Sequence, residues 1–424
     1  LCLIDHDGAY AQAKASEARW MRGEPMGELD GVPVTLKDAL TWKGFPNRGG
    51  SKTSSPEPVD ENAPAVESLL QAGAIPIGKT TLSEFGWKAL GDSPLYGITR
   101  NPWDTRMTSG GSSAGAAVAA ALNLGMLHAG MDSAGSIRVP SSFCGVFGLK
   151  PSHGHVPSDP PLPFALISDV GPITRSVRDA ALMLTTMAAP DPRNIWAVQA
   201  HTPDYRVGLE DGIRGMRIAW SPRLAFVREL DQEVEQICAQ AVSAVEELGA
   251  IVEEADPKWE DPIEVMRMLW LVGSWVELSS VDPSRRSECD PGLVAFAQPG
   301  EKVLAAEFLD KANGRMALFR AMSEFHRRYD LLLTPTVATA AFEVGHNTPP
   351  DGRFGDEWFN WSKYSYPFDL TLQPVATVPC GQTRSGLPVG LQIAAPFLCD
   401  SQVLKAARAF ETARPWEKLV SPRP

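Results

Sequence analysis

The sequence has no run approaching the ~20 apolar residues that a bilayer crossing requires. It has no basic excess either: 39 Lys and Arg stand against 51 Asp and Glu, a net charge of −12. That balance argues against nucleic acid, because phosphate binding needs clustered cations, and it disfavours an anionic membrane surface. The six cysteines (Cys2, Cys144, Cys238, Cys289, Cys380, Cys399) include no Cys-x-x-Cys pair. They read as buried reduced thiols, which points to a cytoplasmic setting. The seven histidines show no metal-ligand spacing, so neither a metal nor a cofactor is expected. The opening residues LCLIDHDGAY lack the charged start and apolar centre of a signal peptide.

What is present is ordinary for a globular enzyme. The chain has 424 residues, 44% of them hydrophobic and 21% charged, enough for one large α/β domain or two smaller ones. Residues 11–22 have the pattern of an amphipathic helix. An apolar strand over 32–37 ends on Lys37, a helix follows over 62–74 with Asn62 as its N-cap, and 75–80 reads as a strand. A long loop covers 83–101. Farther on, 171–188 reads as a helix, 217–256 as strand–helix–strand, and 259–328 as mostly helical. A strand at 331–336 and two or three more within 366–396 complete the pattern. This alternation predicts an α/β sheet with loops gathered at one edge. The absence of a repeat or clear linker favours one domain over 1–424, with a helical elaboration at 257–330.

The centre of the chain is Met107 to Pro151, MTSGGSSAGAAVAAALNLGMLHAGMDSAGSIRVPSSFCGVFGLKP. A glycine–serine loop, Gly110 to Gly115, opens it; an alanine-rich helix and a short strand follow. A second small-residue turn then runs from Ser133 to Ser136. No Lys-Ser/Thr follows the last glycine of the first loop, so that loop lacks the phosphate-binding pattern, and nucleotide binding is a weak alternative. Lys37, Ser112 in the first turn and Ser136 in the second together resemble the amidase signature family. Further stretches extend the resemblance over nearly the whole chain: Gly31 to Asp38, Gly78-Lys79-Thr80, Gln373-Pro374 and Leu387 to Gln392.

The resemblance implies an α/β/α sandwich around a mixed, mostly parallel sheet, a Ser–Ser–Lys catalytic triad of Lys37, Ser112 and Ser136, and a cis peptide bond at Ser112. It implies an oxyanion hole made by Ser133, Ala134, Gly135 and Ser136, and a substrate pocket bordered by Gly86, Trp87 and Gly111. Family members usually carry further N-terminal helices, so the chain is expected to begin late. Two positions depart from the usual pattern, Ala114 and Ala134, where glycine is commoner and where alanine restricts positive φ.

The chemistry follows from the residue types. A serine hydroxyl needs a base as it attacks, and a lysine serves only when neutral. Burial lowers a lysine pKa, and Val32, Val34 and Leu36 are the expected apolar surroundings. On this reading Lys37 takes a proton from Ser112, Ser112 takes one from Ser136, and Ser136 attacks the amide carbonyl. The neighbouring Asp38 offers a competing role for Lys37 as half of a surface ion pair. Asp132 and Arg138 are expected to hold the second turn by charge-assisted hydrogen bonds.

Three functions stay open: a stand-alone amidase acting on amides and also on carbamates, a glutaminase-type subunit of an amidotransferase complex, and a catalytically silent scaffold. The intact Lys37, Ser112 and Ser136 weigh against the third. The Trp and Met cluster at 259–275 and Trp87 suggest an apolar or aromatic small-molecule substrate. Monomer and homodimer are both compatible with the sequence.

Overall fold

The computed structural model describes residues 1–158, 164, 166–196 and 203–416. Strand β1 (Leu3–Ile4) and helix α1 (His6–Arg22) lead into β2 (Pro33–Lys37), α2 (Pro64–Gln71) and β3 (Ile75–Thr80). A small hairpin, β4 (Asp92–Ser93) and β5 (Gly97–Ile98), forms a sheet of its own within the expected loop. Next come α3 (Ala114–Ala121), β6 (Leu127–Asp132), α4 (Arg138–Cys144), β7 (Phe147–Lys150), β8 (Asp169–Thr174) and α5 (Val177–Met187). They are followed by β9 (Arg217–Trp220), α6 (Gln232–Glu247) and β10 (Ile251–Glu254). Four helices then run in series: α7 (Ile263–Ser279), α8 (Pro291–Ala297), α9 (Ala305–Asn313) and α10 (Arg315–Phe325). The last elements are β11 (Leu331–Pro335), α11 (Tyr366–Leu370), β12 (Val375–Gln382), β13 (Pro388–Ala394) and α12 (Asp400–Ala413).

Eleven strands make one sheet in the order β1-β3-β2-β6-β8-β7-β12-β13-β11-β9-β10. The sheet is mixed, as expected, but parallel pairing is the minority. It is confined to β2 with β3 and β6, and to β9 with β10 and β11. Antiparallel pairs join all other neighbours. For β12 and β13 the reason is local: a tight turn joins them, and a short connection can only return the chain antiparallel.

Strand alternation assigns side chains to layers. Val34 and Leu36 of β2, Leu127, Ala129 and Met131 of β6, and Leu391 and Ile393 of β13 share one core with Leu69 of α2, Met183 of α5, Val242 of α6 and Phe410 of α12. Against the sheet's other face, Ala116 and Ala120 of α3 pack with Ile137 and Ile173. An aromatic cluster built on α7–α10 and α11 contains Trp87, Trp270, Phe359 and Tyr366.

Two local expectations are corrected. The predicted helix 171–188 starts only at Val177, capped by Ser176, whose hydroxyl accepts from Asp179 N. Residues 169–174 are β8, held between β6 and β7; Pro172 brings no N–H to a helix, and Ile173 is β-branched. Asn62 does not cap α2. Its Oδ1 accepts from Lys43 N at 2.8 Å, and the helix starts with Pro64 in its first turn. Gly73 to Thr80 matches the letters of the phosphate-loop pattern, but this stretch runs through β3 and Lys79 Nζ sits 3.0 Å from Asp38. It is a strand with a buried ion pair rather than a phosphate loop.

Candidate active site

The parallel neighbours β2 and β6 place the end of one strand beside the turn that follows the other. Lys37, the last residue of β2, lies on the face opposite Val34 and Leu36, toward the start of α3. Those two side chains therefore do not surround it. The Lys37 side chain is fully buried, and its Nζ donates to Ser112 Oγ at 2.7 Å and to Met131 O at 3.4 Å. Burial pushes its pKa down from 10.5 to about 7, while the more distant charge of Asp132 pulls the other way.

Asp38 does not neutralise Lys37. It faces Lys79 Nζ at 3.0 Å and accepts the Tyr96 hydroxyl at 2.6 Å. Lys79 also donates to Pro46 O and Asn47 Oδ1, at 2.9 and 3.1 Å. The sequence-adjacent carboxylate is thus committed elsewhere, and Lys37 is left without a salt-bridge partner among the described residues. Lys79 helps to build the site, and its only signal in the sequence is its place in Gly78-Lys79-Thr80.

Ser112 follows a cis peptide bond with Gly111. Helix α3 starts two residues later. Ala114 is its first residue, so alanine there needs no positive φ. Ser113 ties this turn to the next elements. Its N–H donates to Ser136 O at 3.0 Å, and its hydroxyl joins Met131 O and N at 3.0 and 3.2 Å. Ser136 is therefore held beside Ser112 by backbone contacts. Among the described residues, no hydrogen bond joins the two serine hydroxyls.

The second turn is fixed by charge. Asp132, at the end of β6, accepts from Gly135 N at 2.6 Å and from Ile137 N at 3.0 Å. Arg138 grips the same carboxylate through Nε and Nη2, both at 2.9 Å. It reaches Asp369 Oδ2 at 2.6 Å, and Ser365 O and Gln392 Oε1 at 2.9 Å each. Burial alone would raise the Asp132 pKa, but the charge and hydrogen bonds of Arg138 outweigh it and hold that carboxyl well below its usual range. Burial and the neighbouring Asp132 push Asp369 far above its usual range, against the pull of Arg138. The buried guanidinium thus bridges two carboxyl groups whose pKa values are driven in opposite directions.

This network alters the expected oxyanion hole. The Gly135 N–H is engaged within the turn, donating to Asp132 Oδ1 at 2.6 Å. The N–H groups of Ser133, Ala134 and Ser136 donate to no group among the described residues. Gly135 carries the positive φ of the turn, +106°, and a Cβ there would lie 2.5 Å from Ser365 Oγ. Alanine is therefore harmless at 134, where the backbone stays at negative φ.

A cavity of about 380 Å3 opens over these residues. Lys37, Ser112, Ser133 and Ser136 line its floor, with Gly86, Leu82, Phe85, Met131, Phe164 and Val170 around them. Of the expected pocket residues, Gly86 is present, whereas Gly111 and Trp87 are not among the described residues that line it. Trp87 lies in the aromatic cluster, and its carbonyl accepts from Trp270 Nε1 at 2.7 Å. Met266 and Trp270 are likewise buried behind the wall. Trp270 acts at one remove: its ring stacks on Phe164 with centroids 3.9 Å apart, and Phe164 faces the cavity. Gly273 makes room for that ring, since a Cβ there would come within 2.2 Å of Phe164 Cδ1. The side that α7 does present to the cavity carries Glu277 and, one turn on in the chain, Ser280, neither of which sequence reasoning singled out. Among the described residues, no group of three or more His, Cys, Asp or Glu is placed to hold a metal ion.

Comparison with known proteins matches the Amidase family model over residues 1–404. The chain belongs to the amidase signature family. As an amidase of this family it hydrolyses C–N bonds. It is 38% identical over 400 residues to an acylamidase of Rhodococcus erythropolis, spanning 93% of this chain and 83% of that protein. It is 34% identical over 439 residues to a glutamyl-tRNA(Gln) amidotransferase subunit of Anaeromyxobacter sp. (strain K), spanning 96% and 87%. Among solved structures, it superposes on a bacterial aryl acylamidase of the amidase signature family with a TM-score of 0.92 and 27% identity, covering 100% of this chain and 91% of the other. No described helix of this amidase is long and apolar enough to cross a membrane.

Proposed function

We propose that this amidase cleaves small apolar or aromatic amides, and aryl carbamates as a second class, through an acyl-enzyme on Ser136. The observation that carries this reading is the 2.7 Å contact between Ser112 Oγ and Lys37, a fully buried amine whose pKa is pushed down to about 7. At neutral pH a large share of Lys37 has a free lone pair. Lys37 takes the proton of Ser112 as Ser112 takes that of Ser136, and Ser136 Oγ bonds to the substrate carbonyl carbon. A substrate filling the cavity brings the two hydroxyls into line, since catalytic hydrogen bonds often tighten only in the complex. The negative charge on the carbonyl oxygen is met by the uncommitted N–H groups of Ala134 and Ser136, with that of Ser133 close by. Collapse breaks the C–N bond as the relay returns its proton to the leaving nitrogen. Water then attacks the ester, giving its proton to the same relay, and releases the acid and free Ser136.

The substrate class rests on the walls. Phe85, Phe164, Leu40, Leu82 and Val170 offer apolar surface, and burial of a matching group is worth ~25 cal/mol per Å2. A glutaminase-type role, suggested by the amidotransferase relatives, needs a cation for the α-carboxylate of glutamine. No arginine is among the described residues lining the cavity, and Lys37 is engaged with Ser112. The test is turnover by the purified chain alone. Anilides, and aryl carbamates after them, should exceed glutamine by at least ~100-fold in kcat/KM. Equal rates on glutamine, or activity only with a second protein present, would move the amidotransferase reading to first place.

A further inference from the structure

The cavity holds one ionisable group that the proton relay does not use. Among the described lining residues only Lys37 and Glu277 are ionisable. Glu277 stands on the last turn of α7, half-buried, with Ser280 beside it and Ser54 and Ser55 also in the wall. No ion pair or hydrogen bond engages its carboxyl group among the described residues; its backbone carbonyl accepts from Ser280 N and Oγ, at 3.2 and 2.7 Å. The arginines that follow α7 are turned to other work. Arg285 pairs with Glu288 and donates to Lys52 O and Thr53 O, at 2.8 and 3.1 Å, which ties the 52–55 loop to the end of α7. Arg286 lies over the Trp275 ring. With no cation acting on it among the described residues, burial pushes the Glu277 carboxyl up to about 7. A carboxyl withdrawn from water without a partner is costly, and a ligand cation is the missing complement.

We infer that Glu277 sets the charge preference of this cavity: it takes amides that carry a protonated amine remote from the scissile bond and rejects those that carry a carboxylate. This deepens the proposed function and rests on the cavity above Ser136 being the substrate site. It is a specificity residue, binding a part of the substrate that does not react.

The binding half of the test needs no turnover. Benzylammonium and benzyl alcohol differ mainly in charge, and their affinities for the purified chain can be compared by calorimetry. The cation should bind about tenfold more tightly, and Glu277→Gln should abolish the difference while Glu277→Asp keeps part of it. In turnover, pentanoyl anilide is compared with 5-aminopentanoyl anilide, and acetanilide with its 4-aminomethyl derivative. One of the two ammonium-bearing members should lead its partner about tenfold in kcat/KM, and that ratio should collapse in Glu277→Gln. Equal binding of cation and alcohol, or a preference that survives Glu277→Gln, would overturn the inference. A preference in binding with no hydrolysis of any anilide would instead count against the proposed reaction and leave the role of Glu277 standing.

Discussion

At the scale of single residues the account turns on the ionisation of Lys37. Because a base must be neutral, acylation should rise with pH through about 7 and level off above it. A rate that climbs only near 10 would assign the base elsewhere. Lys37→Ala should lower kcat by about 10^2- to 10^4-fold with the fold retained, checked by circular dichroism. The same pKa makes a statement about stability. The folded value lies below the unfolded 10.5, so between about pH 7 and 10.5 the unfolded chain binds more protons and stability rises with pH. Lys37→Met lacks this dependence. Its melting temperature, measured relative to the wild type, should be higher at pH 6 than at pH 10. The three residues that meet at the cavity floor, Lys37, Ser112 and Ser136, could be picked out in the sequence because a lysine at a strand end and two serines in small-residue turns are local patterns. That Asp38 serves Lys79 was not readable, because their pairing depends on β2 and β3 lying side by side in a particular register.

At the scale of elements, two features carry the site: the charged knot that holds the second turn and the helix that backs the cavity wall. Arg138→Leu strands the Asp132 carboxylate in a dry interior and should cost about 3–5 kcal/mol in chemical denaturation. Arg138→Lys should recover little, since an ammonium cannot reproduce the fork that meets Asp132 twice and Asp369 once. On α7, Gly273→Ala places a methyl group where Phe164 lies and should shift that ring into the cavity. Aromatic amides should then lose about tenfold in kcat/KM, mostly through KM, while small aliphatic amides change less. The sequence marked 259–275 as aromatic but could not say which side of the helix meets the cavity. A helix with large apolar residues on several faces has no single inward stripe, and here Met266 and Trp270 took the core while Glu277 and Ser280 took the cavity. Strand β8 was hidden for a related reason: the helical periodicity of α5 was extended backwards across Ser176, whose capping role marks the true start.

At the scale of the whole molecule, the sheet order brings residues distant in sequence to one point. Lys37 ends β2, Ser136 follows the neighbouring β6, and Ser112 precedes the helix that crosses their shared face. The alternation of strands and helices made an α/β sandwich legible. The balance of parallel and antiparallel pairs was not, because it depends on which strands become neighbours rather than on any one strand's composition. The cavity joins this sheet edge to the α7 layer, which is why the reaction could be read from one stretch and the selectivity could not. The central claim, that Ser136 is the acylated residue and Lys37 its base through Ser112, is tested most directly by peptide mass mapping after treatment with a fluorophosphonate. The account predicts a single adduct on the peptide carrying Ser136, absent from Ser136→Ala and formed far more slowly in Lys37→Ala. An adduct on Ser112, or undiminished labelling of Ser136→Ala, would contradict it.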